Sequence, residues 1–294
     1  MSMFVKLWGT RGSIPTPGHG TQKYGGNTSC VEIHRGDAVL VCDAGTGIRE
    51  LGVDLARRGD RELAMHLFFS HTHWDHIQGF PFFGPAYDPS KTLHIWDLDH
   101  AGGRVHDLLS GQMQEAYFPV TFAQLGARIV PEGLGAQPQE VEGIVVRHLA
   151  QPHPGGCAAF SFEADGRKVV YLTDTELDTL LRDPEDSFRN PGSHREMPRE
   201  LVDFVRGADL LIGDGQYTDE AYASHRGWGH PRAFTTVDLA IEAEVAQLAV
   251  FHHDPMETDA LLERKLDACA ARAKAAGSPI VVFGAREGLE FKLG

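Results

Sequence analysis

Three histidines and one aspartate fall within six residues in the stretch His71-Thr72-His73-Trp74-Asp75-His76. Imidazole nitrogen and carboxylate oxygen are common zinc ligands, and neutral imidazole also suits iron and other borderline metals. His71 and His73 stand two apart, so on an extended segment their side chains point the same way. Asp75 and His76 follow where the chain turns. One segment can therefore serve two adjacent metals, His71 and His73 on one, Asp75 and His76 on the other. A polar loop of solvated histidines is the plain alternative, and so many ligand types in one short run argue against it.

The elements around the cluster follow from periodicity and turn chemistry. A strand from Leu63 to Phe69, with the apolar run Leu67-Phe68-Phe69, is expected to deliver the histidines at its C-terminal end. Phe4 to Trp8 reads as a first strand, leading into Gly9-Thr10-Arg11-Gly12-Ser13. Cys30–His34 and Ala38–Cys42 read as a hairpin, followed by Asp43-Ala44-Gly45-Thr46-Gly47 and a helix from Ile48 to Arg58. Thr92 to Asp97 is a further strand, and residues 103–114 have helical character. The aromatic segment 115–120 fits a pocket wall or ordinary packing equally well. Residues 144–149 read as a strand, with His148 a strand residue rather than a ligand. Ala158–Glu163 and Arg167–Thr173 form the clearest hairpin, since their turn carries Asp165-Gly166. Residues 176–200 are polar and rich in Pro and Arg, a solvated loop by default and a mobile cover otherwise. Leu201–Arg206 is helical, Ala208–Ile212 is a strand running on to Asp214, Thr235–Ala246 is a helix and Leu248–Phe251 a strand. An amphipathic helix over 258–276 stops at Gly277, and Ile280–Phe283 is the last inner strand. Pattern alone supports an α/β fold with a two-layered core.

The HTHWDH stretch resembles the HxHxDH signature of the metallo-β-lactamase fold superfamily. That family draws its ligands from several loops, and candidates follow in order: His153 in Gln-Pro-His-Pro-Gly, Asp174 after the strand Val169–Thr173, and His252 after Leu248–Phe251. The resemblance implies that His71, His73 and His153 bind one metal, that Asp75, His76 and His252 bind a second, and that Asp174 bridges them. His253 is the rival to His252. Two divalent ions are expected, zinc first, with manganese and iron also suited to the donors. The implied chemistry is attack by a metal-bound hydroxide, with Asp75 as both ligand and base.

The N-terminal GTRGS, then Gly26-Asn27-Thr28-Ser29-Cys30 and DAGTG, resemble the phosphodiesterase-type branch, the tRNase Z and cyclic-nucleotide phosphodiesterase group. GTRGS lacks the Lys-Ser/Thr of a P-loop and its βαβ context, so tight glycine turns explain it better than a phosphate cradle. Asp214 resembles the acidic residue of the tRNase Z branch's HEAT-like motif, and His230 its catalytic histidine. Asp214 stands where that motif has a longer glutamate, and Pro231 departs from the usual following residues. Unrelated loop residues are the alternative. The family fold implied is a four-layer αββα sandwich of two mixed β-sheets, spanning residues 1–294 as one domain.

Composition narrows the partners. A formal net charge of −14 over 294 residues argues against broad electrostatic capture of nucleic acid. The first residues lack an apolar signal core, and no apolar run approaches the roughly 20 residues that span a bilayer. Four cysteines without CxxC spacing suit reduced thiols in a cytoplasmic protein. The expected activity is hydrolysis of a small phosphodiester, a cyclic nucleotide for preference. RNA is the less favoured substrate, because no basic arm is evident. A thioester or lactone hydrolase on the same metals is one alternative, and a non-hydrolytic di-iron redox or sensor protein is another. The second has HxExDH where this chain has His73. A homodimer is expected from the family resemblance alone.

Overall fold

The structure, a computed structural model, describes residues 2–59, 65–98 and 105–294. Leu63 and Ala64, and residues 103 and 104 of the expected helix, lie outside those residues. Two seven-stranded sheets face each other. The first is built from β1 (Met3–Gly9), β2 (Cys30–Arg35), β3 (Ala38–Cys42), β4 (Met65–Phe68), β5 (Thr92–Asp97) and β6 (Arg128–Gly133). The second comprises β7 (Gln139–Val141), β8 (Ile144–Gln151), β9 (Cys157–Ala164), β10 (Arg167–Leu172), β11 (Leu210–Asp214), β12 (Gln247–Phe251) and β13 (Val281–Gly284). Then β14 (Glu290–Leu293) returns to the first sheet and pairs antiparallel with β1.

Each sheet begins antiparallel and ends parallel. In the first, β1 to β3 pair antiparallel and β3 to β6 parallel. In the second, β7 to β10 pair antiparallel and β10 to β13 parallel. The central parallel strands are largely apolar, as strands covered on both faces must be; every residue of β4 and β11 is buried. Three separate cores explain why. Val5, Leu7, Ile33, Leu40, Phe68, Phe160, Tyr171 and Phe251 fill the space between the sheets. Ile48, Leu51 and Leu55 of the helix Ile48–Arg58 cover the outer face of the first sheet with Val41 and Leu67. Val237, Leu262, Leu266 and Cys269, from helices Ala233–Glu242 and Asp259–Ala275, cover the second against Leu211 and Leu248. Helix, sheet, sheet and helix therefore stack as an αββα sandwich. No helix among the described residues is long and apolar enough to cross a membrane. All four cysteines are free and buried.

Several boundaries differ from the sequence reading for identifiable reasons. The helix expected to run to Ala246 ends at Glu242. The Val245 amide donates back to the Ala240 carbonyl, and Glu244 sits at φ 54, a left-handed closure that usually takes glycine. Residues 176–200 are largely exposed, as expected of a solvated loop, but buried side chains anchor them. Glu176, Asp178, Ser187 and Arg195 are buried, and Asp178 accepts from the Arg232 amide and guanidinium at 2.8 Å each. In the aromatic segment, Phe118 packs edge-on to Phe82 while Tyr117 stays exposed.

One buried carboxylate off the site makes stability pH-dependent. Glu32 on β2 is fully buried. Burial alone would raise its pKa, but hydrogen bonds from His34, Arg58 and the Trp8 indole hold it down at about 2. The folded value lies below the unfolded one, so this contribution is full above about pH 4.5 and is lost as pH falls toward 2. Glu32→Gln is expected to lower the urea midpoint at pH 7 and to flatten its decline between pH 4.5 and 3. An acid limb as steep as the wild type's would refute this.

Candidate metal centre

The site lies at the carboxyl ends of strands from both sheets, where open α/β sheets commonly place ligands. Strand β4 ends at Phe68, and His71, His73, Asp75 and His76 follow within one turn. His153 follows β8, Asp174 follows β10, Asp214 ends β11 and His252 follows β12. Asp174 and His252 stand at φ 50 and φ 56. A non-glycine residue in this left-handed region costs on the order of 1–2 kcal/mol. Here it turns each side chain from its strand direction into the cluster.

The ligand atoms fall into two groups sharing a border. Those of His71, His73 and His153 lie within 4.8 Å of one another, as do those of Asp75, His76, Asp174 and His252. Asp174 faces both. Its Oδ1 lies 3.6 Å from His71 Nε2 and 3.7 Å from His153 Nε2, while its Oδ2 lies 3.1 Å from His76 Nε2 and 3.3 Å from His252 Nε2. His73 Nδ1 closes on His153 Nε2 at 3.0 Å. Asp75 Oδ2 meets His252 Nε2 at 3.1 Å and His76 Nε2 at 3.2 Å. His253 turns away: its Nε2 contacts the Ala285 carbonyl at 2.7 Å.

The imidazoles are oriented from behind. Asp43 Oδ2 holds His76 Nδ1 at 2.8 Å, and also accepts from Tyr171 OH and Ser70 Oγ at 2.7 Å each. Gln216 Oε1 holds His252 Nδ1 at 2.8 Å, and the Gly229 carbonyl holds His153 Nδ1 at 3.0 Å. Each contact fixes Nδ1 as the protonated nitrogen and leaves Nε2 directed at the cluster, the arrangement of a metal-binding histidine. The donor set fits a binuclear divalent centre. His71 Nε2 and His76 Nε2 are buried without a hydrogen-bond partner, although buried polar atoms normally have one. Two buried carboxylates, Asp75 and Asp174, also converge on one small volume, and a cation would compensate them.

The electrostatics divide along the same border. Burial lowers the basicity of His71, His73 and His153, the last to about 4, so these rings are neutral and ready to donate a lone pair. Burial also disfavours charge on His252, but Asp174, Asp214 and Asp75 outweigh it and raise its pKa to about 9. Burial would raise the Asp75 and Asp174 carboxyls; the facing histidines, His76 and His252 foremost, hold both well below the usual range.

Asp214 and His230 meet as a pair, with Asp214 Oδ2 2.9 Å from His230 Nδ1. The shorter carboxylate reaches because it sits on the last residue of β11, beside β10. It also accepts the Asp174 amide at 3.0 Å and, through Oδ1, the Gln216 amide at 3.0 Å. The His230 ring stacks on His252 at 4.7 Å.

GTRGS is a structural clasp. Arg11 is fully buried and donates to the carbonyls of Gly25, Asp254 and Glu257 at 2.9–3.1 Å. The clasp brings the Ser13 amide to 2.7 Å from Asp75 Oδ2. It also leaves no room beside Gly12, where an added Cβ would fall 2.4 Å from His252 Nδ1 and Cε1. Gly12→Ala is expected to push the His252 ring aside and weaken metal binding roughly 10- to 100-fold, the usual scale for disturbed ligand support. Chelator competition measures this, and an unchanged dissociation constant with unchanged melting would overturn it.

Sequence reasoning did not assign Asp43, Gln216 or Glu176. DAGTG contains Asp43, but nothing local says that its carboxylate reaches His76. Glu176 accepts the amides of Gly227 and Gly229 at 2.7 and 3.0 Å and so shapes the loop bearing His230; no spacing announces it.

Residues 39–253 match the family described as a beta-lactamase superfamily domain, and the chain belongs to that superfamily. Ribonuclease Z of Haloarcula marismortui is 23% identical over 287 residues, covering 86% of each chain. The metallo-β-lactamase fold protein YhfI of Bacillus subtilis superposes with a TM-score of 0.68 at 20% identity, covering 99% of both chains. The short form of human tRNase Z superposes with a TM-score of 0.64 at 16% identity, again covering 99% of both.

Proposed function

We propose that the chain hydrolyses a small phosphodiester, a cyclic nucleotide for preference, on two divalent metals. The observation that carries this reading is Asp174, whose two oxygens face the two ligand groups separately. His71, His73 and His153 would hold one ion, Asp75, His76 and His252 the other, with Asp174 between them. Zinc suits the His-rich donor set first, with manganese or iron next. Bound there, such ions supply Lewis acidity toward a phosphoryl oxygen and make water a usable nucleophile near neutral pH.

The chain's own groups supply the rest. Asp75, fixed by the Ser13 amide, stands where a proton from the attacking water can be taken up. His230, held through Nδ1 by Asp214, presents Nε2 for the proton that the leaving oxygen needs. The acidic balance of the chain favours a small diester over RNA. RNA is the second reading, favoured by the ribonuclease Z relative that matches most of the chain.

The test is turnover of bis(p-nitrophenyl) phosphate by metal-replete protein, followed by cyclic nucleotides and a precursor RNA at equal concentration. Metal-dependent turnover, with cyclic nucleotide favoured over RNA, is expected. Preference for RNA would select the second reading, and no diester turnover with two metals bound would reject both.

A further inference from the structure

The chain has four tryptophans, and they divide by partner. The two buried ones spend their indole N–H inside the fold, Trp8 on Glu32 at 2.9 Å and Trp96 on His66 at 3.1 Å. Trp74 and Trp228 are 65% and 61% exposed. Among the described residues neither donates a hydrogen bond. Indoles bury most of their surface in ordinary folds and usually find an acceptor for the N–H. Two that do neither, both next to candidate site residues, call for a ligand.

Trp74 adjoins the more exposed ligand group along the chain, and Trp228 adjoins a residue that supports it. Of the seven candidate ligands His73 is the exposed one, and Trp74 lies between it and Asp75. Trp228 precedes Gly229, whose carbonyl holds His153 from behind, and His153 is the ring that His73 touches. Neither indole sits on a loose segment. Trp74 opens the helix Trp74–Ile77, with its carbonyl accepting the Gln78 amide at 2.8 Å. Trp228 is flanked by Gly227 at φ 82 and Gly229 at φ 91, and both glycine amides are pinned by Glu176. Its ring packs edge-on to His225, which stacks on Tyr217, which in turn contacts His230. A fixed loop with an exposed ring keeps its conformational cost low before a ligand arrives.

The nearby cation is engaged elsewhere. Arg226 pairs with Glu185 and lies over the Phe188 ring. Trp74 and Trp228 thus offer aromatic faces and indole donors. Faces of this kind bind planar bases by stacking, whatever the base.

We propose that Trp74 and Trp228 form the base-binding subsite of the centre, holding the nucleobase of a nucleotide diester while its phosphate lies over the metals. This rests on the phosphodiesterase reading and narrows it to substrates with an aromatic base.

Two measurements test it. The first compares kcat/KM for thymidine 5′-(p-nitrophenyl phosphate) and methyl p-nitrophenyl phosphate, which share a leaving group and differ in the base. The metal-replete wild type is expected to prefer the thymidine ester, and Trp74→Ala and Trp228→Ala each to shrink that preference about tenfold, mainly through KM. Phenylalanine at either position should restore part of it. A preference unchanged in both alanine variants overturns the subsite. The second measurement follows indole fluorescence of the purified protein with AMP and with ribose 5-phosphate. Saturable quenching by AMP alone supports the subsite, and equal or unsaturable responses overturn it. If neither diester is turned over but AMP still quenches saturably, the hydrolase reading fails and the base site stands.

Discussion

Asp174→Ala is expected to lower phosphodiester turnover by about 10³-fold or more and to reduce bound metal below two ions per chain. The expectation comes from where the carboxylate sits. It is 1% exposed, follows the inner strand β10, and lies within 3.1–3.7 Å of four imidazole nitrogens. No other described carboxylate presents separate oxygens to both ligand groups, so no neighbour takes over its place. Alanine also leaves His71, His76 and His252 without the one carboxylate that all three face. Asp174→Asn separates charge from shape. It preserves the hydrogen bond that the residue 174 amide donates to the Asp214 carboxylate, so the backbone turn persists while the negative charge is gone. If bridging charge is what matters, both variants lose metal and activity together. Metal content by mass spectrometry, turnover and melting temperature decide it. Two tightly bound ions in Asp174→Ala, at wild-type stoichiometry, would remove the bridging role.

How much of this was legible in the chain depends on what kind of signal each residue carries. His71, His73, Asp75 and His76 are close in sequence, so their convergence follows from one strand end and one turn. His153, Asp174 and His252 come from distant strands. Only the family pattern ordered them, and it favoured His252 over its neighbour His253 only because His252 stands first after the strand. The structure separates that pair by backbone: φ 56 at His252 turns its ring inward, while His253 continues toward Ala285. Asp43 and Gln216 were out of reach because their work is tertiary. Each holds an Nδ1 of a histidine that is 33 or 36 residues away. The strands missed were β6, β7 and β14. Strand β6 carries Pro131 and is largely exposed, β7 has three residues, and β14 gains its partner only by returning to β1 at the far end of the chain. Edge strands depend on such pairing more than on their own pattern. The sheet alternation and the Asp165-Gly166 hairpin are local, and they matched.

His230→Ala is expected to lower kcat by about 10²- to 10⁴-fold while metal content stays at the wild-type level. The geometry gives the reason for both halves. His230 stands outside the two sets proposed to hold the ions, although its ring shares a third close group with Asp174, Asp214 and His252 whose atoms also lie within 4.8 Å of one another. Its Nδ1 is committed to Asp214 at 2.9 Å, so Nε2 is the atom left for a substrate. Removing the ring therefore takes away a proton donor and leaves the seven candidate ligands in place. The choice of leaving group makes the role specific. p-Nitrophenolate departs without a proton, whereas the alkoxide of a nucleoside needs one. A general acid should matter little for the first and greatly for the second, so the loss in His230→Ala should be much larger for a cyclic nucleotide than for bis(p-nitrophenyl) phosphate. Equal losses on both substrates would point instead to charge stabilisation at the phosphoryl group. Unchanged rates on both would remove His230 from the mechanism. Asp214→Asn is a poorer probe, because Asp214 also accepts the amides of Asp174 and Gln216, and its loss would disturb the candidate bridge and the support of His252 together.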